Sequence, residues 1–419
     1  MKKTNSNKKE KLKSEEDNVI YVNGPEEAAR NNSENIEKEK KVKKRSYIFA
    51  FLLVLACFVG VYMMVHKKYS GYRVISSSET NFENTANYIQ FSGNLLKYTP
   101  DGVSYINSNG DIVWSAGIDM KMPIAVASGN YAVVADISGN AICVYSNDGL
   151  VSNLTMPYAI CDVDIADQGA FAVVLESEET NYINLYDKKG VIIYEMKTTI
   201  DKSGYPLDIT ISDDGRKLFT SYINVGASVA ENNLAAYNFG DVGQNSNADR
   251  MVGGYSFDGQ IVSKVEFVEN DTVIAFGTKS ISIYSMKEKP SEKAKIELTK
   301  EVRSIFYTDK YFGIIQDVEN EESKHLYEVK VYNLRGDLMF KDYLDFGYDT
   351  VYADKNEIII TGGSDCIIFR KNGSVKFEAS MSGKIVSMVP SGGNLEYIVV
   401  YDDSTELIKL KTKKANVVE

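Results

Sequence analysis

Apolar and polar residues are arranged along this chain in two ways. From Tyr47 to Val65 the sequence YIFAFLLVLACFVGVYMMV runs 19 residues without a charge. At about 1.5 Å per residue, a helix of that length just crosses a hydrocarbon layer of roughly 30 Å. Beyond residue 70 the apolar residues fall instead into short runs broken by Gly, Asn and Asp. One stretch reads AICDVDIAD, FAVVLES, YINLYD and VIIYEMK in succession; a later one reads YDTVYAD, EIIITGG, CIIFRK and SVKFEAS. Runs of this kind bounded by turn residues predict strands, and four in a row predict one antiparallel sheet. No apolar spacing of helical period competes with them.

The sheets repeat. An apolar or aromatic residue closing a strand recurs four places before a turn glycine. The instances are Ile106 and Gly110 (INSNG), Tyr145 and Gly149 (YSNDG), Tyr186 and Gly190 (YDKKG), Tyr332 and Gly336 (YNLRG), and Phe369 and Gly373 (FRKNG). Looser copies at 234–241 and 280–290, and a last strand at 407–411, complete the series. The period is roughly 40 to 50 residues, and four-stranded sheets at that spacing are the blades of a β-propeller.

The expected fold is therefore all-β: an eight-bladed propeller of four-stranded antiparallel blades over 87–415, with seven blades as the alternative. A disordered tail (1–46), one transmembrane helix (47–66) and a juxtamembrane linker (67–86) are expected to precede it. Residues 383–411 supply only three strands, and an unfinished blade would leave a long open edge. The segment Tyr72–Ser78 (YRVISSS) is expected to pair as the missing outermost strand beside Thr405–Lys411 and close the ring.

Two segments resemble known propeller repeats. PLDITISDDGRKLFTSY (206–222) is similar to the innermost-strand signature of many bacterial, WD40-like propellers, and SYINSNGDIVWSAGI (104–118) resembles quinoprotein-type repeats. The order of the chain, a short anchor, then GYRVISSSE (71–79), then the blades, resembles an uncharacterised bacterial family of single-pass membrane-anchored propeller proteins. That resemblance implies a fold and a location, and no activity.

Charge sets the orientation. Lys40, Lys41, Lys43, Lys44 and Arg45 precede the apolar segment, and His66, Lys67 and Lys68 follow it. The richer flank belongs in the cytoplasm, which places the C-terminal domain outside the cell membrane. A cleaved signal peptide would have a shorter leader. The run Val54-Leu55-Ala56-Cys57 loosely resembles a lipoprotein processing site, but the eight residues after Cys57 stay apolar. The tail is too polar to bury a core. Its one apolar island, Val19-Ile20-Tyr21-Val22, is either a chance cluster or a docking motif for a cytoplasmic partner.

Composition narrows the partners. Residues 1–46 carry 13 Lys/Arg against 9 Asp/Glu, whereas 69–419 carry 32 against 49. An outer domain that acidic repels nucleic acid and other polyanions. Twenty-eight Tyr and 17 Phe against 7 Pro favour strands. Four cysteines (Cys57, Cys143, Cys161, Cys366) are too few for a disulfide scaffold. Cys143 and Cys366 are expected at matching core positions of two repeats, and a Cys143–Cys161 bridge is the lesser alternative.

The chemistry is sparse. The two histidines, His66 and His325, provide no catalytic triad and no ordinary zinc site. Trp114, the single tryptophan, is expected to dock one blade on the next rather than to floor a cofactor. Asn107, Asn109 and Asp111 alternate like calcium ligands, in a loop too short and without the bidentate glutamate. No metal and no cofactor is expected.

One column remains, three residues before the end of each inner strand: Pro123, Asp162, Asp208, Lys264, Ser304, Asp349 and Val386. Of these, Asp162, Asp208, Lys264, Ser304 and Asp349 are the candidate ligand-binding residues of a central channel, as a cation site, a polar pocket or simply solvated funnel residues. The expected function is a non-enzymatic binding or scaffold platform for an envelope protein or glycan. A glycan-active enzyme using paired channel carboxylates and a sensor signalling through the helix are the alternatives.

Overall fold

The computed structural model of the chain describes residues 40, 43–44, 46–60, 62–63, 66–79, 86–178, 180–225, 231–246, 249–318 and 324–412. The chain divides into two units, Met1–Lys67 and Lys68–Glu419. In the first, residues 46–60 are helical. Among the described residues, no helix is long and apolar enough to cross a membrane; Val61, Met64 and Val65 of the apolar segment lie outside them. The tail island at Val19–Val22 lies outside them as well.

The second unit is the propeller, with eight four-stranded antiparallel sheets. Blades 1 to 7 occupy 87–117, 123–155, 159–199, 205–258, 262–297, 302–344 and 350–380, each a meander running from the channel outward. Blade 8 takes Ile385–Pro390, Glu396–Tyr401 and Ser404–Lys411 from the C-terminus and Gly71–Glu79 from the N-terminal side. The expected closure is present: Gly71 pairs with Lys411, Val74 with Ile408 and Glu79 with Ser404. Tyr69 extends the fastening with a backbone hydrogen bond from its N–H to the Lys376 carbonyl (2.8 Å), and Lys68 pairs with Glu378 at 2.6 Å.

The core lies between blades. Leu96, Val103 and Tyr105 of blade 1 pack with Val134 and Tyr145 of blade 2, and a cluster of this kind fills each following gap. The last unites Val389, Ile398 and Leu407 of blade 8 with Leu95 and Ile106 of blade 1, so the ring is sealed. Trp114 does join blades: its Nε1–H donates to the Asn147 carbonyl at 3.0 Å, and its ring stacks on Tyr105 and Tyr145. Cys143 and Cys366 are free and buried, but their positions do not match. Cys143 faces back onto blade 1 and Cys366 forward onto blade 8. They stand two and three residues before the equivalent Tyr145 and Phe369, and a shift of one residue turns a strand side chain to the other face.

The turn motif now has a cause. Asn107, Asp187 and Asn333 follow the strand-closing residue, and each accepts two backbone N–H bonds across its turn, as Asp187 does from Lys189 (2.9 Å) and Val191 (2.8 Å). The glycine that follows adopts φ of 84° at Gly190 and 88° at Gly336, a region open to glycine at little cost. The Asn107 oxygen is thereby occupied within its own turn.

Candidate functional site

A bulge positions the channel residues. In blades 3, 4, 5, 6 and 8 the inner-strand ladder skips one residue, at Cys161, Leu207, Ser263, Arg303 and Val386. The residues that resume pairing are Asp162, Asp208, Lys264, Ser304 and Ser387. Val386 is thus the bulge itself, and Ser387 takes the level expected for it. The ladder of blade 7 starts at Thr350, leaving Asp349 one residue short; its carboxylate accepts the Gly363 N–H at 2.9 Å. Ser304 hydrogen-bonds the Tyr348 hydroxyl at 2.7 Å. Of the five candidates, the structure brings together Asp162, Asp208 and Lys264.

Three residues missed in the sequence join them: Asp164, Glu266 and Tyr307. Asp164 and Glu266 lie two residues beyond Asp162 and Lys264, so they share a face with them by the period-two rule of strands. Extending the column by two residues would have revealed both.

The aspartates hold neighbouring blades together. Asp162 accepts the Ile209 N–H at 3.0 Å, Asp164 the Ile211 N–H at 2.8 Å and Asp208 the Val265 N–H at 2.7 Å. Thr210 continues the series by accepting the Phe267 N–H at 2.9 Å. Adjacent inner strands share no ladder, and these side chains supply the missing acceptors. At the centre, the Lys264 ammonium lies 3.2 Å from Asp208 and 3.3 Å from Glu266.

One ammonium serves four carboxylates, and proton affinities rise accordingly. Burial is the main cause for each acid. It pushes Asp162 up to about 6 and Glu266 up to about 7, raises Asp164, and holds Asp208 well above the usual range, with Lys264 opposing each shift. Burial lowers Lys264, but Glu266, Tyr307, Asp208 and Asp164 outweigh it and its net shift is upward. The acids of the cluster therefore lose their protons closer to neutral pH than ordinary carboxylates do.

A pH dependence follows. A carboxylate with a raised folded value stabilises the fold below its unfolded value, and the advantage is lost as pH rises through the folded value. For Asp162 and Glu266 that window runs from the ordinary carboxylate range to about 7. Glu266 alone is worth roughly 3 kcal/mol across it. The melting temperature of the propeller should therefore be higher at pH 5.5 than at pH 8, and Glu266→Gln should flatten the slope. A flat wild-type profile by scanning calorimetry would refute this.

The same channel opens on the side of the ring that carries the first–second and third–fourth turns. Its mouth is a cavity of about 390 Å³ with Asp164 and Glu266 in its wall and Asp167, Asp213, Asp309, Asp354 and Lys355 from the turns around it. Ser128 donates to Asp167 at 2.6 Å, and Lys355 lies 3.1 Å from Asp309. Burial, then Asp167 and Asp164, pushes Asp213 up to about 6, and the four turn aspartates of the mouth face Lys355 as its one lining lysine among the described residues. Among the described residues, no group of three or more His, Cys, Asp or Glu side chains has the geometry to hold a metal ion.

Similar architectures occur among solved structures. BamB from Moraxella catarrhalis is similar over 81% of this chain and all of its own, at 12% identity and a TM-score of 0.51. The WD40 domain of Neurospora crassa Pan2 matches 84% of this chain and 99% of its own, at 8% identity and a TM-score of 0.44. A functionally unknown protein from Desulfotomaculum acetoxidans matches 72% of this chain and 96% of its own, at 15% identity and a TM-score of 0.43. At such identities the likeness concerns the fold alone. None of the curated proteins matches the sequence. Over residues 65–410, nearly the whole propeller, the chain matches and belongs to DUF5711, a family of unknown function.

Proposed function

We propose that this protein is a membrane-anchored, extracytoplasmic binding platform whose acidic channel mouth receives a positively charged segment of an envelope partner. The observation that carries the reading is the division of labour among the carboxylates. Asp162, Asp164 and Asp208 are committed to backbone N–H groups of the next blade. The Asp213 carboxylate has no hydrogen-bond or ion-pair partner among the described residues, and burial, then repulsion from Asp167, Asp164 and Asp214, raises its proton affinity. A cationic group seated there would relieve that repulsion, and rigid blades would hold the site without reorganisation. The 19-residue apolar segment and its basic flank support the anchor and the orientation. The hydrolytic alternative is less favoured, because a glycosidase needs two carboxylates free to face the substrate and the paired ones here are engaged.

The test is binding of a lysine-rich peptide to the full chain in detergent, followed by titration with salt. Binding that weakens steeply with salt, and in Asp213→Asn, is expected. Affinity unaltered in Asp213→Asn would remove the mouth from the reading, and failure to bind any basic peptide would overturn it.

A further inference from the structure

The outermost strands share a second bulge. In blades 1 to 7 the fourth-strand ladder skips one residue just after the turn from the third strand. Such a bulge sets two residues against one of the partner strand, and in blades 1 and 3 both are exposed, whereas Val151 of blade 2 and Val252 of blade 4 pack against the core. In blade 1 the pair is Ile112-Val113 and in blade 3 Ile192-Ile193, with Leu150 of blade 2 and Met251 of blade 4 exposed at the same register. In blade 8 the skip falls further along the strand, and the pair is Val74-Ile75. The paired residues of blades 8, 1 and 3 are each between 45% and 63% exposed.

The other blades break the series. Blade 5 has Glu292-Lys293 and blade 7 has Val375-Lys376. Blade 6 repeats the apolar pair as Leu338-Met339, isolated between those two charged neighbours. Among the described residues, blades 8 and 1 to 3 therefore present a continuous apolar arc of the outer rim, where scattered exposure would carry no pattern.

The chain itself indicates what covers this arc. Val74-Ile75 belongs to the strand that begins at Gly71, so the arc starts in the blade to which the apolar segment leads. Eight residues lie between Val65 and Val74, a reach of at most about 30 Å fully extended. We propose that the apolar arc of blades 8, 1, 2 and 3 rests in the interfacial zone of the lipid bilayer, leaving the charged pair of blade 5 in water. This rests on the membrane anchor proposed above. Apolar side chains along one rim, on a body tethered beside the bilayer, would partition into the headgroup–acyl boundary as amphipathic surface elements do.

Trp114 makes this measurable, since it is the only tryptophan and stands beside Val113. The full chain is reconstituted into vesicles of phosphatidylcholine and phosphatidylglycerol whose acyl chains carry bromine, a contact quencher. Alkaline carbonate extraction is run on the same vesicles. Resistance to carbonate with quenched Trp114 supports both anchor and arc. Resistance with unquenched Trp114 overturns the arc and keeps the anchor. Release by carbonate, with quenching on re-added vesicles, keeps the arc and overturns the anchor. Release without quenching overturns both. The double substitution Ile192→Asp, Ile193→Asp lies in an exposed strand away from Trp114 and should abolish quenching without lowering the melting temperature. Unchanged quenching, or an Asp-sensitive dimer of the chain in its place, overturns the proposal.

Discussion

Deleting residues 68–79 should unfold the whole propeller or lower its melting temperature cooperatively, in one transition. The strand Gly71–Glu79 is the last cover over Ser404–Lys411, and Tyr69 and Tyr72 pack on the core shared by blades 7 and 8. Without them Leu407, Ile408 and Leu410, all buried, face water from an open edge. At about 1.5–3 kcal/mol for each large aliphatic side chain uncovered, the loss is on the order of 5 kcal/mol. That is comparable with the total stability of many domains. Blade 8 also packs on blade 1, so its loss breaks the ring rather than trimming it. A synthetic peptide GYRVISSSE added to the truncated protein should restore part of the transition temperature. An unchanged melting curve for the truncated chain would show that another contact closes the ring.

Replacing Lys264 with Met should be the most damaging single substitution in the channel. It leaves Asp208, Glu266, Asp162 and Asp164 crowded together without the ammonium that opposes their shifts. Breaking one side of a buried charge pair costs about 3–5 kcal/mol. Protonation offers the acids an escape, so the cost should be largest at pH 8 and shrink toward pH 5. The sign follows from their folded values moving further upward. The triple variant Lys264→Met, Asp208→Asn, Glu266→Gln should recover most of the loss. The amide that replaces the Asp208 carboxylate keeps an oxygen for the Val265 N–H, while the repulsion is gone. A single variant as stable at pH 8 as at pH 5, measured by urea unfolding, would show that the carboxylates are already fully neutral.

The two registers show where sequence reasoning stops. Reading the channel column from strand ends placed Asp162, Asp208, Lys264 and Ser304 at the residue that resumes pairing after the bulge. It slipped by one residue at Asp349, where the ladder begins only at Thr350, and at Val386, which is itself the bulge. A bulge leaves little trace in a sequence, since it adds one residue without demanding a particular side chain.

What the sequence determined by itself was local and periodic. Alternation gave the strands, the glycine after INSN or YDKK gave the turns, and the spacing of turns gave the blades, because each depends on residues close in the chain. The shortfall of one strand at the C-terminus and the strand character of 72–78 even announced the closure. The tertiary structure decided everything that needs two blades at once. Asp162 reads as a channel carboxylate until Ile209, 47 residues away, is seen donating to it. Lys264 reads as one of a ring until Asp208 and Glu266 are found beside it. The apolar arc reads as scattered strand residues until the shared bulge aligns them. Partners brought together by ring closure carry no mark in the local pattern, because the force that selects them acts through space and not along the chain.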